Sequence, residues 1–443
     1  MTEDLGHSLS PLLVLPFAGL LLSIAILPLV AEHWFEKNRN RAIVAAAFGL
    51  PVVIYLIARF GSEGVTEVLH TGEEYFSFIM LLAALFTISG GIYLTGNLLG
   101  TPLTNVGFLI VGAVLANFIG TTGAAMVLIR PLLRANSERH HQKHVVIFFI
   151  FVVANIGGLL TPLGDPPLFL GFLRGVDFFW TLQLLPQWAM AVGLTTAVFF
   201  VLDYRMYRKE TAETIREDIA DYVPMRIAGK VNVLFLFGVI ASVLLSKPLA
   251  HWGEAIHFPF LRELIMFAMI VLSLKFGPSG PRKANHFSWA PIQEVAIIFA
   301  GIFAAMIPAL AILKARGAEL GLVEPWHFFW ATGVLSSFLD NAPTYLTFTS
   351  TAQGFLGIDT VAGLMSTDVV AVLGRAPEIF LAAISCGAVF MGANSYIGNA
   401  PNFMVKSIAE SSGLKMPSFF GYMAYSAVVL IPIFVLVSLV FFR

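Results

Sequence analysis

The sequence predicts an all-α polytopic membrane protein with about ten transmembrane helices, two re-entrant hairpins and inverted-topology repeats that contain broken helices. Of its 443 residues, 58% are hydrophobic and 12% are charged, and the mean hydropathy is +0.83, whereas a soluble chain has roughly 25% charged residues. Apolar windows long enough to cross a hydrocarbon core of about 30 Å follow one another along the whole chain. Two further apolar stretches have Gly, Pro, Asn or Asp at their middle.

The hydropathy pattern gives the candidate spans in order: nine uncharged windows, and one weaker window that carries Arg262 and Glu263. The uncharged windows cover approximately residues 11–31, 42–58, 75–99, 145–163, 178–202, 231–246, 295–313, 379–400 and 418–442. The weaker window covers approximately residues 258–276. The first window lacks the basic start and the cleavage site of a secretory signal, so we expect it to be retained as a helix.

The charges of the connections predict their sidedness, because Lys- and Arg-rich connections are expected in the cytoplasm. The basic connections are residues 36–41, 134–143, 205–230 and 275–283, and the acidic or neutral ones are residues 61–74 and 250–257. To keep the basic connections inside, the interrupted stretch 101–131 must enter and leave from the cytoplasm, and the stretch 325–350 must do so from outside. Both stretches are therefore predicted re-entrant hairpins, and both termini are predicted to face outward.

The order of elements predicts an inverted repeat. Each half contains a span, a hairpin, a broken span and a closing span, with hairpin tips at Asn117–Gly123 and Ser337–Thr344 and broken spans at 145–173 and 378–410. The predicted divisions are residues 1–74 (N-terminal transmembrane helices), 75–203 (first repeat), 204–230 (cytoplasmic linker), 231–290 (connecting helices) and 291–443 (second repeat).

Both broken spans carry proline at the break, in Thr161–Pro167 (TPLGDPP) and Gly398–Asn402 (GNAPN). Proline removes a backbone donor and clashes with the preceding turn, so a regular helix cannot continue. Unwound backbone at membrane depth is tolerated where protein or a water-filled cavity satisfies it, and paired interruptions in two halves are typical of a transporter's binding site. Ordinary membrane-helix kinks are the alternative, but they account less well for four breaks in repeat-related positions.

Two carboxylates, Asp165 and Asp340, are predicted at this site, because an ionisable group inside a membrane is costly and usually functional. Either carboxylate could instead, or in addition, cap the helix that follows it. Hard cations such as Na⁺ prefer oxygen ligands, so we expect Na⁺ to contact Asp340 and Asp165. Hydroxyl and amide side chains supply the other candidate ligands, although each could alternatively serve helix packing. They are Asn341, Thr344, Thr161, Asn117, Thr121, Asn394, Ser395 and Asn399, within a wider polar set that adds Thr122, Asn155, Ser336, Ser337 and Asn402.

Other signals have simpler interpretations. His140, His141 and His144 are expected in a solvated cytoplasmic loop, with a pH sensor or a metal site as alternatives. The run 205–222 has helical periodicity and mixed charge, which predicts an interfacial helix. Glu294 is expected at a span mouth, with proton relay as the alternative. Cys386, the single cysteine, lies in an apolar segment and is expected to be a packed small residue.

Composition and motifs exclude several function classes. The formal net charge of −1, from 26 basic and 27 acidic residues, provides no field that attracts nucleic acid. The sequence has neither a phosphate-binding GKS/T loop nor an HExxH pattern, and the predicted midplane has no Ser/His or Cys/His pair. We expect a chain that is not an enzyme, has no cofactor beyond transported or coupling Na⁺ and H⁺, and contacts the lipid bilayer and a small ion or carboxylate.

The second hairpin tip, Asp340-Asn341-Ala342-Pro343-Thr344, resembles the Asp/Asn-Asn-x-Pro-Thr tip of arsenite permeases and NhaD-type sodium/proton antiporters in the ion transporter superfamily. Sodium/dicarboxylate symporters of that superfamily have tips similar to Ser-Asn-Thr-Ala-Thr. The first tip, residues 117–126, departs from both forms and keeps Thr121. The resemblance covers residues 75–442, and the whole sequence resembles a group labelled citrate transporters or sodium:proton antiporters. It implies the inverted-repeat fold and a homodimer.

Carboxylates without a basic partner favour a cation/proton antiporter, in which Na⁺ or Li⁺ competes with H⁺ at Asp340 and Asp165 by alternating access. The alternative is a Na⁺-coupled importer of citrate or another carboxylate, in which bound Na⁺ and helix N-termini attract the anion. In either case we expect a multi-pass protein of a bacterial inner membrane.

Overall fold

The computed structural model describes residues 6–370 and 374–443, and most of these residues are helical. The α-helices are α1 (Leu15–Val30), α2 (Glu32–Phe35), α3 (Asn38–Ser89), α4 (Pro102–Ala135), α5 (Lys143–Val152), α6 (Pro166–Leu173), α7 (Leu185–Tyr207), α8 (Ala212–Ala220), α9 (Val231–Leu244), α10 (Ser246–Ala255), α11 (Leu261–Phe276), α12 (Ser279–Ala284), α13 (Ala290–Arg316), α14 (Pro325–Ser336), α15 (Asn341–Leu356), α16 (Pro377–Met391), α17 (Ala400–Ser411) and α18 (Phe419–Phe441). Short 3-10 helices cover Pro11–Val14, Ile156–Leu160, Trp180–Leu184, Gly317–Leu320, Val361–Met365 and Gly392–Asn394. Two strands, β1 (Tyr93–Asn97) and β2 (Val223–Ala228), pair antiparallel.

Many of these helices are long and apolar enough to cross a membrane. Within residues 6–370 and 374–443 there are eight such helices, or nine if α9 and α10, which meet at 72°, count as one bent span. The chain is therefore an all-α polytopic membrane protein, as the sequence predicts.

Gly61 divides α3 into two antiparallel arms. Its backbone is not helical, with φ 58° and ψ −124°, and glycine adopts positive φ without the steric cost that a Cβ brings. A Cβ on Gly64 would lie 2.2 Å from the carbonyl oxygen of Leu56, so the chain reverses within a few residues. The arms correspond to the predicted spans 42–58 and 75–99.

The predicted span 75–99 extends too far at its C-terminal end. The helix ends at Ser89, and β1 follows and pairs with β2 in the predicted linker. Arg134 holds β1 in place by donating to the carbonyl oxygens of Leu94 (2.5 Å) and Gly96 (3.2 Å). The interfacial helix predicted for 205–222 is also shorter than expected, because only the nine residues of α8 are helical between the end of α7 and β2.

Both interrupted apolar stretches fold as helical hairpins. The first is α4, which bends at Gly120 (φ 76°, ψ 156°). A Cβ on Gly112 in its first arm would lie 3.1 Å from Cδ1 of Leu128 in its second arm. The second hairpin consists of α14 and α15, whose rings Phe328 and Phe355 lie 6.2 Å apart near its open end.

The open ends of the two hairpins lie at opposite ends of α13. A Cβ on Gly90, next to β1 and the first hairpin, would lie 2.6 Å from the ring of Phe287, just before α13. Past the other end of α13, a Cβ on Gly317 would lie 2.3 Å from the carbonyl oxygen of Thr351 in the second hairpin. The 27 residues of α13 span about 40 Å, which exceeds the hydrocarbon thickness. The hairpins therefore approach the middle of the molecule from opposite ends.

The weak window 258–276 contains α11, which returns the chain to the end where α9 begins. Ser273, near the end of α11, donates its hydroxyl to Oδ1 of Asn232 at the start of α9 (2.6 Å). A Cβ on Gly238 in α9 would lie 2.4 Å from the sulfur of Met269 in α11. The two helices are thus antiparallel, as the predicted sidedness of the second hairpin requires.

The centre of the molecule is formed by α5 and α16, the first parts of the two broken spans. Residues 144–152 of α5 are all buried, and α16 is almost as enclosed. A helix that is apolar on all sides is expected to be buried in this way. Cys386 lies buried in α16, which is consistent with the packing role predicted for it.

Candidate functional site

Two hairpin tips and two helix breaks meet around Asp165. Asp165 itself precedes α6, where Pro162, Pro166 and Pro167 prevent a continuous helix. Thr121 follows the bend of the first hairpin, Asn341 begins the second arm of the second hairpin, and Asn399 precedes α17. Each of these three side chains donates a hydrogen bond to the Asp165 carboxylate.

The Asp165 carboxylate is buried and held by amide and hydroxyl donors. Its side chain is 1% exposed. Its Oδ1 accepts from Thr121 Oγ1 (2.9 Å) and Asn399 Nδ2 (3.2 Å), and its Oδ2 accepts from Asn341 Nδ2. Its side chain makes no capping bond to α6. The capping interpretation is therefore wrong for Asp165, because donors from other elements occupy the carboxylate.

Asp340 does cap its helix. Its Oδ1 accepts from the backbone N–H of Ala342 at 3.0 Å, at the start of α15. The Thr344 hydroxyl donates back to the Asp340 carbonyl oxygen at 2.9 Å, so Thr344 supports the helix start. Asp340 is partly exposed, and it lines the same cavity as Asp165.

Asp165 and Asp340 both line a cavity of about 110 Å³. Its polar wall comes from the first hairpin tip, the two breaks and Asp340, and includes Thr121, Thr122 and Asn399. Its opposite wall is apolar and comes from the second arm of α3 and from α13. Among the described residues that line it there is no Arg, Lys or His. The ionisable side chains in its described lining are therefore the two aspartates.

Each hairpin tip is fastened to the neighbouring break by a hydroxyl. Thr161 donates to the carbonyl oxygen of Asn117 at 2.5 Å, and Ser395 donates to the carbonyl oxygen of Ser337 at 2.5 Å. The Asn117 amide also donates to the Gly157 carbonyl oxygen (2.7 Å). The sequence predicts ligand roles for Thr161, Asn117 and Ser395. In the structure, their hydrogen bonds connect the hairpin tips to the breaks.

The hydrogen bonds from Thr161 and Ser395 align the two halves residue by residue. Matching Thr161 to Ser395 aligns Asp165 with Asn399, and matching Asn117 to Ser337 aligns Gly120 with Asp340. Each half thus supplies one carboxylate, the first from its break and the second from its hairpin tip. The arrangement of the backbone is similar in the two halves, while the charges occupy non-equivalent positions.

Two buried amide oxygens near the site have no hydrogen-bond partner, Oδ1 of Asn341 and Oδ1 of Asn394. Asn341 is fully buried and uses its Nδ2 on Asp165, and Asn394 uses its Nδ2 on the Ser337 hydroxyl at 3.0 Å. A buried acceptor without a donor is costly, and an amide oxygen is a good ligand for a hard cation. Both amides were among the predicted ligands.

Behind Asp165, three asparagines form a chain across the two halves. Asn399 donates to Oδ1 of Asn155 (3.2 Å), and Asn155 donates to Oδ1 of Asn402 (2.7 Å). All three side chains are buried. This chain fixes the amide orientation of Asn399 and hence its bond to Asp165.

The apolar wall of the cavity is the part of the site that sequence reasoning missed. The rings of Phe78 in α3 and Phe299 in α13 stack at 4.9 Å between centroids and line the cavity. Both helices read as ordinary spans, because a phenylalanine that faces a cavity has the same sequence signature as one that faces lipid.

A second polar cluster, at the open end of the first hairpin, was also missed. Asp203 in α7 is fully buried and accepts from Arg139 Nη2 (2.5 Å) and Asn105 Nδ2 (2.9 Å), and it contacts His144 Nε2 (2.8 Å). The prediction of a solvated loop is therefore wrong for His144, which is 8% exposed, and Arg139 of the same basic connection is 3% exposed. The loop folds inward because a buried aspartate requires paired donors.

Glu210 anchors the rest of the same loop. Burial opposes ionisation of Glu210, but the backbone N–H groups of His140 and His141 and the His141 ring donate to its carboxylate, and together they hold its pKa below the usual range. Glu294, predicted at a span mouth, forms an ion pair with Arg41 at 2.7 Å. Within the described part of the chain, no three His, Cys, Asp or Glu side chains group as a metal site.

Comparison with known families gives one match that covers nearly the whole chain. A family model with the description "Putative citrate transport" matches residues 6–442. A comparison with curated proteins found no match.

Proposed function

Because this chain belongs to the family described as "Putative citrate transport", and is a multi-pass secondary transporter, we propose that it exchanges Na⁺ or Li⁺ for H⁺ by alternating access. The ion site contains Asp165 and Asp340. The observation that carries the proposal is that Asp165 and Asp340 line one cavity whose described lining has no cationic side chain.

The helix ends at the site make its net charge suitable for a single monovalent cation. Three helices, α6, α15 and α17, begin there, at Asp165, Asp340 and Asn399. Each N-terminus contributes roughly half a positive charge, which together offset most of the charge of two ionised carboxylates. The remaining field is weakly negative, so one cation or one proton neutralises it.

Oxygen atoms of the right kind surround the carboxylates. Thr121 and Asn341 donate to Asp165, which places the Thr121 hydroxyl oxygen 2.9 Å from the carboxylate. The unpartnered Oδ1 of Asn341 is available as a further ligand. Na⁺ favours such a mixture of carboxylate, amide and hydroxyl oxygens over nitrogen or sulfur. We propose Asp165, Asp340 and Asn341 as the residues that hold the ion.

Competition between ions follows from the chemistry of the carboxylates. A carboxylate oxygen that binds a proton loses the charge that attracts Na⁺, so the site holds either ion in turn. Burial of Asp165 favours its neutral form, while three donors favour its ionised form. Asp340 is partly exposed to the cavity, which provides a path for exchange with water.

Alternating access requires the cavity to open to each side in turn. The cavity lies between the tips and breaks on one wall and α3 and α13 on the other. The two hairpins approach it from opposite ends of the molecule. We propose that displacement of the tips and breaks along the apolar wall exposes the carboxylates first to one side and then to the other, in keeping with the inverted repeat.

A dye experiment in everted vesicles tests the proposal. Na⁺, Li⁺, K⁺ and citrate are added separately to energised vesicles that carry wild type or Asp340→Asn, with a pH-sensitive dye. We expect Na⁺ or Li⁺ to dissipate the pH gradient in wild type only. Full Na⁺-dependent proton movement in Asp340→Asn would remove Asp340 from the site.

The family description favours a second candidate, a Na⁺-coupled importer of citrate or another carboxylate. Helix N-termini and bound Na⁺ would supply its positive potential. The lack of a cationic side chain among the described cavity residues makes a trivalent anion a poor fit. Citrate uptake that requires Na⁺, with no Na⁺/H⁺ exchange, would replace the antiporter with the importer.

We further propose a bacterial inner membrane as the location, with both termini outside, and a homodimer as the assembly. The basic connections of residues 134–143 and 275–283 support the sidedness. Accessibility of introduced cysteines to an impermeant thiol reagent, at these connections and at residues 61–74, tests it.

A further inference from the structure

A second and larger cavity, of about 580 Å³, lies at the end of the molecule that carries the basic connections. Its walls come from the second arm of α4, the connection between α12 and α13, and the end of α17. Its polar side chains are Tyr93, Arg130, Arg134, Ser137, Gln142, His286 and Ser412. Sites for small molecules typically have volumes of about 300 to 1,000 Å³.

Two arginines stand on one face of α4 inside this cavity. Arg130 and Arg134 are four residues apart, so they are neighbours on the helix surface and repel each other. Neither forms an ion pair within the described residues, and the described lining has no Asp or Glu. The nearest acidic neighbour in sequence, Glu138, accepts from the Ser137 hydroxyl instead (2.8 Å). Two adjacent positive charges thus face a cavity without a counter-charge.

The two arginines differ in how their donors are used. Arg134 is held by three acceptors, the Tyr93 hydroxyl (2.7 Å) and two carbonyl oxygens of β1. Nη1 of Arg130 is buried and has no acceptor. A basic residue that only sets membrane sidedness is expected in water on a loop. Arg130 is instead within a helix, one turn before Arg134, with a free donor.

From this geometry we propose that the cavity binds an anion of two or more charges that carries carboxylate or phosphate groups. A guanidinium presents paired N–H donors that match either group. Arg130 would supply the principal donors, and the His286 ring and the Tyr93 hydroxyl, which also line the cavity, would add neutral donors. The Gln142 amide and the Ser412 hydroxyl already donate to carbonyl oxygens. A soluble polycarboxylate, inorganic phosphate and the headgroup of an anionic lipid share this chemistry.

This site is separate from the carboxylate site in residues and in charge. The described lining of the two cavities has no residue in common. Anion binding here therefore requires neither Na⁺ nor Asp340. A ligand would bridge α4, the segment before α13 and the end of α17, so it is expected to stabilise the protein in this arrangement.

Calorimetry and thermal unfolding of the purified protein test the proposal, with citrate and inorganic phosphate as probes in Na⁺-free buffer. Arg130→Gln is the test variant. Arg208→Gln is the matched control, because Arg208 is exposed and outside the cavity. We expect Arg130→Gln to weaken binding at least tenfold, and Arg208→Gln and Asp340→Asn to leave it unchanged. Ser412→Glu, at an exposed position on the rim, adds a negative charge without disturbing the core and should also weaken binding.

Nanodiscs of phosphatidylcholine, with or without phosphatidylglycerol, distinguish the sources of the anion. If phosphatidylglycerol raises the melting temperature of wild type but not of Arg130→Gln, the lipid headgroup occupies the site. If citrate or phosphate raises the melting temperature of wild type but not of Arg130→Gln in phosphatidylcholine alone, the ligand is soluble. Equal responses of wild type, Arg130→Gln and Ser412→Glu to all three probes would overturn the proposal. Binding that requires Na⁺ and is lost in Asp340→Asn would overturn it too, because the anion would then occupy the other cavity.

Discussion

Replacement of Asn341 by alanine is expected to shift the competition between Na⁺ and H⁺ toward H⁺. Asn341 is fully buried, and its amide is one of three side-chain donors to Asp165. The donors stabilise the ionised carboxylate more than the neutral acid. In Asn341→Ala, Asp165 keeps only Thr121 and Asn399, so a higher pH is needed before its proton is released.

The magnitude follows from the strength of one hydrogen bond to a charged group. Such a bond contributes about 1.5 to 3 kcal/mol. Because one pH unit corresponds to about 1.4 kcal/mol, the pH at which Na⁺-driven exchange is half-maximal should rise by about one to two units. Burial preserves the size of the effect, since Asp165 is 1% exposed and its interactions are screened little by solvent.

The assay is Na⁺-driven proton movement in proteoliposomes, measured from pH 6 to 9. The control is Thr347→Ala, on the same helix, whose hydroxyl donates to the Pro343 carbonyl oxygen at 2.8 Å and does not contact Asp165. An unchanged midpoint in folded Asn341→Ala, or an equal shift in Thr347→Ala, would refute the reasoning.

Three further outcomes concern the stability of the fold. Asp203→Ala should lower the melting temperature strongly, because removing one partner from a buried ion pair costs about 3 to 5 kcal/mol. Its control is Asp221→Ala, at an exposed position. Equal melting temperatures of the two variants would contradict a stabilising role for the Asp203 cluster. Glu210 has a lowered pKa, so its stabilisation of the 137–142 loop is present above the usual Glu pKa of about 4.3 and is lost as pH falls through the lower folded value. Amide protection factors of that loop should therefore decrease in acid in wild type. A similar decrease of the protection factors in Glu210→Gln would show that ionised Glu210 is not the cause. Gly120→Ala should be destabilised by about 1 to 3 kcal/mol, since φ 76° and ψ 156° suit glycine alone. Gly107→Ala should not be, because a Cβ there would have no neighbour within 4 Å. Equal thermal stability of the two variants would contradict backbone strain at position 120.

Much of the fold was predictable because membrane helices are defined by composition and length. The uncharged windows gave the spans, and the interruptions near Gly120 and Asp340 gave the hairpins. The turn at Gly61 lies within the predicted connection 61–74, but its continuation as helix was not expected. β1 could not be separated from the preceding span, because Tyr93–Asn97 carries no charge and simply extends the apolar window.

The site was predictable in its residues and less so in its contacts. Asp165 and Asp340 could be grouped because both lie at breaks, and breaks in repeated halves meet. The hydrogen bond from Asn341 to Asp165 joins residues from different halves, so no local sequence pattern predicts it. Asp203 and Arg139 are likewise brought together only by folding. The opposite roles of Asp165 and Asp340 in helix capping also depend on which donors the tertiary structure supplies.

The most direct test of the central claim is proton release on Na⁺ binding to the purified protein. Na⁺ is added to wild type, Asp165→Asn and Asp340→Asn in a weakly buffered detergent solution, and both bound Na⁺ and released H⁺ are measured. If Na⁺ and H⁺ compete for these carboxylates, wild type releases protons in proportion to bound Na⁺, with less release at higher pH, and each variant loses binding and release together. Na⁺ binding without proton release in wild type, or undiminished release in both variants, would contradict the exchange mechanism.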